Sequence, residues 1–227
     1  VQGVVSIAEI HDKRIVRCLL PTLIIGNYEV YLVQDYTERI LIGSLSLRRK
    51  PLIQSMTPDH VYKEATTKIS ILGSNLENIN YCVFDSVNEH HVKAASHIDN
   101  STIFCESPWS RNNEMYQLGL SSDGHNIAQT NRVFRIVEKP IAFEIEPSKI
   151  FSDSNYSVNV YGMNFVNTKD LVCKLDSVLT KATFVTPSHI KCFIAMLRPG
   201  NKTLAISANG IHFVQVEKKI QVRPLVE

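Results

Sequence analysis

Five cysteines, Cys18, Cys82, Cys105, Cys173 and Cys192, are the residues of this 227-residue chain with the widest chemistry open to them. A thiol can attack as a nucleophile, hold a metal or bond a second thiol. Structural zinc sites use short spacings such as C-x-x-C or H-x-x-x-H, and neither occurs. A cysteine nucleophile needs an activating partner. The chain offers no G-x-S-x-G, H-E-x-x-H or G-x-G-x-x-G, and its 9 glycines leave little room for a phosphate-cradling loop. No catalytic residue, cofactor site or metal site is therefore expected, and the chain is not read as an enzyme. His90, His91 and His97 sit close in sequence. They fall in a polar stretch between apolar runs and are expected as exposed loop histidines.

Pairing is the chemistry left, and an internal repeat says which thiol goes with which. A basic residue, a proline and two apolar residues recur as Lys50-Pro51-Leu52-Ile53, Lys139-Pro140-Ile141-Ala142 and Arg223-Pro224-Leu225-Val226. Proline fixes its own φ and pushes the preceding residue to an extended shape, which suits a short stiff connection. Inside each unit, Pro58 precedes Gly73 as Pro147 precedes Gly162, by 15 residues. These glycines lie in the matching phrases Ile71 to Leu76 and Val160 to Phe165, each reading as a strand and then a turn that needs glycine and asparagine. Next comes Cys82 or Cys173, then Cys105 or Cys192, and last Asp123-Gly124 or Asn209-Gly210, both hairpin signals.

Residues 1–50 carry only the second half of this plan, with Ile15-Val16-Arg17-Cys18 as the isoleucine–cysteine phrase. The expected division is thus half a repeat over 1–50, repeats over 51–139 and 140–224, and the start of a following segment at 225–227. On this arithmetic Cys82 pairs with Cys105 and Cys173 with Cys192. Cys18 is unpaired here, its partner lying among about 37 residues expected upstream of Val1. Loops of about 20 residues, once closed, are worth roughly 3 kcal/mol to the fold. That is a large share for a unit of about 87 residues, which buries only about 60–65% of its unfolded surface. Disulfides would also imply an oxidising compartment. The alternative is five buried free thiols, since unpaired cysteine is a common core residue.

The elements around these cysteines have the two-residue period of half-buried strands. Val158 and Val160 alternate with Ser157 and Asn159, Leu204 and Ile206 with Thr203 and Ala205, and Val30 and Leu32 with Glu29 and Tyr31. Across Gly43-Ser44 the apolar parity shifts, as a bulge would cause. No amphipathic helix is found. Short strands with a turn every ten or so residues predict an all-β protein of tandem immunoglobulin-like sandwiches, the first lacking its N-terminal half.

Pro147, the Val158 to Phe165 phrase with Gly162 and Asn164, Cys173, Ile190-Lys191-Cys192 and the closing Asn209-Gly210-Ile211-His212-Phe213 resemble IPT/TIG domains. That immunoglobulin-like fold is shared by plexins, the hepatocyte growth factor receptor family and certain transcription factors. The unit at 51–139 departs in having Leu76 where an aromatic is common and Asp123 before its glycine; the last unit has Ala195 where a proline follows the second cysteine. Tandem units with paired cysteines look like the receptor and adhesion branch, whose units serve as stalks and binding surfaces.

Composition agrees with a folded domain, at 44% hydrophobic and 20% charged residues. A net charge of +2 argues against nucleic acid as partner, and Arg48-Arg49-Lys50 reads as a solvated linker. The longest apolar run, Leu19 to Ile25, is broken by Pro21 and is far short of the ~20 residues of a membrane helix. Sequons place candidate N-glycans at Asn100, Asn155 and Asn201, each at a predicted loop or strand start. Trp109, with Arg111, Asn112 and Asn113 in the polar loop after it, is the candidate partner contact. The function expected is an extracellular protein-binding or adhesion module, a fragment of a larger cell-surface receptor. Its partner would be another protein, of either homophilic or heterophilic kind. The resemblance leaves a second reading, the TIG region of a transcription factor acting in dimerisation.

Overall fold

The computed structural model describes residues 3–12, 14–34, 38–152, 154–195 and 197–224. The segment expected at 225–227 lies outside them. The chain divides into two compact units, Val1–Lys50 and Pro51–Glu227. The described residues form strands and turns with no helix.

In the first unit, β1 (Ala8–Ile10) pairs antiparallel with β2 (Val16–Cys18), and β3 (Gly26–Gln34) with β4 (Glu38–Leu47). Val30 faces Gly43 while Tyr31 faces Leu41, so Ile42 is the extra residue of a bulge. The expected parity shift is real and falls one residue earlier than Gly43-Ser44. Val30 and Leu32 are half-buried. Ile10, Ile40, Leu41 and Ile42 are more than half exposed, so the strands of this unit lack the covering layer that a sandwich provides.

Two sandwiches make up the second unit. The former contains β5 (Leu52–Thr57), β6 (His60–Tyr62), β7 (Lys68–Ser74), β8 (Tyr81–Asp85), β9 (His90–His97), β10 (Thr102–Glu106), β11 (Glu114–Ser121) and β12 (Ile127–Val137). Their order is β5-β7-β10-β9-β8-β11-β12-β6, antiparallel throughout except that β6 runs parallel to β12. The latter contains β13 (Ile141–Glu146), β14 (Lys149–Phe151), β15 (Tyr156–Met163), β16 (Val172–Leu175), β17 (Val178–Thr186), β18 (His189–Ile194), β19 (Gly200–Lys202), β20 (Leu204–Ser207), β21 (Val214–Gln215) and β22 (Ile220–Arg223). Here the order is β13-β15-β18-β17-β16-β20-β21, with β14 parallel to β22 as β6 is to β12. The repeat seen in sequence is therefore a repeat of topology. The last long strand is continuous in one copy and split into β21 and β22 in the other.

Each sandwich folds about one strand. In the first, β9 pairs with both β10 and β8, and in the second β17 pairs with both β18 and β16. Strands two places apart in a flat sheet lie about 9.5 Å apart. Cys82 on β8 and Cys105 on β10 have Cα atoms only 6.2 Å apart, so the sheet is bent sharply over β9. Between the layers, Phe84 packs edge-on against Phe134 and Tyr116, with ring centroids 5.7 and 6.4 Å apart. The other core gathers Val158, Val160, Ile190, Leu204 and Ile206, all fully or almost fully buried. Strand β15 alternates buried and open residues as its sequence predicts.

Two residue-level expectations change. Gly73 and Gly162 do not supply turns. Both are strand residues, and a Cβ at either would collide with a backbone carbonyl, that of Leu52 or Ile141 on the neighbouring strand. The positive φ in these phrases belongs to Asn75 and Asn164, at 58° and 63°, an αL conformation that asparagine tolerates. The histidines of 90–97 are not in a loop either. They belong to β9, where His90 bonds Asp85, His91 Nε2 lies 2.9 Å from Glu89, and His97 Nε2 donates to the Ile79 carbonyl at 2.7 Å.

The two sandwiches share a seam. Tyr62, from β6, is 4% exposed and packs into the core of the following sandwich together with Val137. Lys63 N donates to the Val137 carbonyl and its ammonium pairs with Glu138. At the junction where the sequence predicts a stiff connection, the structure places this packed side chain and a buried Pro140.

Candidate functional site

The cysteines are resolved as two disulfides, Cys82–Cys105 and Cys173–Cys192, with Cα separations of 6.2 and 5.8 Å. All four are at most 2% exposed. Each bond ties the two sides of one sandwich together beneath the strand over which it folds. Cys18 is free and exposed on β2, opposite Ala8.

Trp109 is 47% exposed, yet both its neighbours, Pro108 and Ser110, are buried. Three hydrogen bonds anchor the backbone beneath it: Ser107 N to the Thr67 carbonyl at 2.9 Å, Thr67 N to Ser107 Oγ at 3.0 Å, and Glu64 N to the Ser110 carbonyl at 3.0 Å. Asn112 N donates to Ser110 Oγ, which turns the chain after the tryptophan. The indole is therefore held out on a fixed loop. The Arg111 guanidinium lies 5.6 Å from its ring and 4.0 Å from Glu64. A cation over an aromatic face is attracted by its quadrupole. Both charged groups remain well exposed, so the ion pair itself is worth little. Asn112 and Asn113 are exposed beside them. The structure thus brings Trp109 and Arg111 into contact and adds Glu64, which the sequence reading missed. Its φ is +59°, and it arrives from 45 residues earlier in the chain, so no local pattern marks it.

Among the sequons, Asn100 is exposed between β9 and β10, Asn155 is exposed just before β15, and Asn201 is exposed within β19, opposite Gln221. Thr203, the hydroxyl residue of the last sequon, bonds Asp176 through both its N and its Oγ1. That carboxylate is held below its usual range, first by the Thr203 amide. Glu89, which accepts from the Tyr116 hydroxyl and His91, is lowered for the same kind of reason. The histidines of β9 therefore act as separate structural ties. Among the described residues, no three metal-ligating side chains cluster.

The fold and these sites define an all-β chain of tandem immunoglobulin-like sandwiches, two of them each pinned by a disulfide. Residues 140–219 of it match the IPT/TIG domain family. No curated protein matches the chain. It is similar in structure to the plexin A4 extracellular region over domains 1 to 10, at 14% identity and a TM-score of 0.51, with 88% of this chain and 21% of that one covered. A second plexin A4 structure, of domains 1 to 8, gives 14% identity and a TM-score of 0.46 over 76% of this chain and 18% of that one. SGBP-B of Bacteroides ovatus, solved with a mixed-linkage heptasaccharide, gives 11% and 0.33 over 95% of this chain and 57% of that one. The chain spans about a fifth of the plexin chains it matches, and at this identity the likeness is one of fold.

Proposed function

We propose that the chain is a protein-binding module of the extracellular part of a larger cell-surface receptor or adhesion protein. Residues 51–139 and 140–224 act as two complete IPT/TIG repeats, and 1–50 is the second half of a third. Disulfides buried in both sandwiches support an oxidising environment and count against the transcription-factor reading. Cys18 and the uncovered apolar side chains of the first unit support a partner segment upstream that carries the missing strands and cysteine. Asn100, Asn155 and Asn201 carry glycans in this reading. The partner is another protein, with no part for nucleic acid, metal or cofactor and no catalysis.

The observation that carries the reading is the Trp109 loop. A half-exposed indole with an arginine against it, on a backbone anchored by buried neighbours, has the composition of an interface hot spot and loses little freedom on binding. Binding follows by presentation of this loop on a stiff two-sandwich body. The test is a tetramerised, disulfide-intact form of the whole chain, titrated on cell surfaces beside its Trp109→Ala and Arg111→Ala variants. Saturable, protease-sensitive binding that weakens about 30-fold in each variant is expected. Equal binding by all three forms would remove the Trp109 loop from the reading, and binding by none to any protease-sensitive surface site would remove the protein partner.

A further inference from the structure

Two imidazoles lie near the side chain that joins the sandwiches. The centroid of the Tyr62 ring lies 6.4 Å from that of His60 and 6.1 Å from that of His212. Tyr62 Oη accepts from the Ala208 amide at 3.1 Å, and Asn209 Nδ2 donates to the His60 carbonyl at 3.3 Å. Both bonds cross the seam. Asn209 is 2% exposed and its amide cannot be turned over. Its Oδ1 accepts from Ser207 Oγ, Ile211 N and His212 N, at 3.1, 3.1 and 2.9 Å. Its Nδ2, a pure donor, therefore faces His212 Nδ1 at 3.0 Å. That bond requires Nδ1 to accept, so the ring is neutral with its proton on Nε2.

A second proton on this ring puts an N–H against an NH₂. The amide cannot answer by rotating without giving up three bonds at Oδ1, so the ring must turn away. We propose that the seam is an acid-released joint: protonation of His212 breaks its bond to Asn209, loosening the clamp of Asn209 on His60 and of Ala208 on Tyr62. Burial first, and then the charge of nearby His60, hold His212 below its ordinary value of 6.5. A group depressed in this way stabilises the closed seam above pH 6.5, and that contribution is lost as the pH falls through the lower value.

The other charged and titratable groups around the seam do not relieve the conflict. Asp59 Oδ1 is occupied by His60 Nδ1 at 2.8 Å, and Arg135 and Lys169 both act on that carboxylate. His60 Nε2 is buried without a hydrogen-bond partner among the described residues, as is Oδ2 of Asp170, whose backbone borders Gly210. Lys174 lies over the Phe213 ring at 5.2 Å. Tyr62 is raised by its burial and stays a neutral phenol. The consequence is a pair of sandwiches that is one body at the cell surface and two linked bodies in an acidified compartment.

The test is nuclear magnetic resonance on the whole disulfide-bonded chain with labelled histidine, at pH 7.5 and 5.0. At pH 7.5 His212 is expected as the Nε2–H tautomer, titrating below 6.5. At pH 5.0 the exchange of the Ala208 amide, corrected for its intrinsic pH dependence, is expected to rise severalfold relative to the amides of β15, because the closed seam loses the stabilisation that the neutral ring provides. His212→Gln, whose carbonyl can still accept from Asn209, is expected to abolish that rise, and His60→Gln to leave it in place. An Ala208 amide that keeps step with β15, a rise undiminished in His212→Gln, or an Nδ1–H tautomer at pH 7.5 would each overturn the joint. Should His212→Gln fail to fold, the ring titration of the unaltered chain decides, and a midpoint at or above 6.5 overturns it. None of these readouts involves a partner, so they stand or fall apart from the Trp109 loop.

Discussion

The phenol oxygen of Tyr62 and the amide of Ala208 are 146 residues apart in sequence and 3.1 Å apart in space. They belong to different sandwiches, so this bond, the Asn209–His60 bond and one buried ring couple two domains that the sequence analysis treats as neighbours on a linker. Tyr62→Phe should cost about 1–3 kcal/mol, because the buried Ala208 amide loses its acceptor. Tyr62→Ala should cost about 3–5 kcal/mol, by analogy with other aromatic truncations in cores. The loss should be felt in the sandwich that begins with β13, whose core holds the ring. Urea unfolding followed by the amides of β15 and β20 measures it; protection unchanged in the alanine variant would show the seam to be passive.

Removing the bond between Cys173 and Cys192 by changing both to alanine should destabilise that sandwich by about 3 kcal/mol, given a closed loop of 19 residues. The Cys82–Cys105 pair, separated by 23 residues, should give a loss of the same size. Thermal unfolding of both double variants, without reductant, is the measurement. A loss near zero in either would mean that its sandwich is stable on core packing alone.

Gly162→Ala forces a methyl group into the carbonyl of Ile141 and the ring of Phe165, so β13 must move off β15. An overpacking cost of about 1–3 kcal/mol is expected. Gly43→Ala meets nothing within 4 Å and should change stability by less than about 0.5 kcal/mol. The pair of variants, compared by denaturant midpoint, separates a glycine required by close approach from one that is not.

Asp123 organises the turn between β11 and β12. Its carboxylate accepts from His125 N at 2.9 Å, Asn126 N at 2.8 Å, Asn126 Nδ2 at 2.7 Å and Ser121 Oγ at 3.0 Å. These bonds, led by the Asn126 amide, hold its pKa well below the ordinary 3.8. The ionised form therefore stabilises the turn above pH 3.8, and that contribution fades as the pH falls through the depressed value. Melting temperatures from pH 7 to pH 2 should show a steeper acid limb in the parent chain than in Asp123→Ala, which should already melt lower at pH 7. Parallel limbs would show that the turn does not depend on the Asp123 carboxylate and is held by the Ser121 hydroxyl and Gly124.

The repeat was legible because its markers are local: prolines, a glycine phrase, cysteines at recurring offsets and two-residue alternation. Those signals were enough to give the strands and the cysteine pairing. They misassigned Gly73 and Gly162, because a glycine needed for backbone approach looks the same in sequence as one needed for a positive φ. They also put His90 to His97 in a loop, since polar residues on both faces of β9 hide its period. Tyr62, Asn209 and His212 went unremarked as a group, because what joins them is packing between repeats and no spacing within either one encodes it. Trp109 and Arg111 could be singled out by type and proximity, but Glu64 could not.

Each sandwich also closes its own border. The Arg132 side chain donates to the Ile53 carbonyl at 3.2 Å and to that of Gln54, and Glu217 N donates to the Ala142 carbonyl at 3.2 Å. Outer strands β5 and β13 thus have part of their outward backbone already occupied, which discourages the strand-to-strand adhesion that bare margins invite. At these two margins contact between crowded copies falls to side chains, and an attachment made of side chains can be strengthened, retuned or erased one substitution at a time.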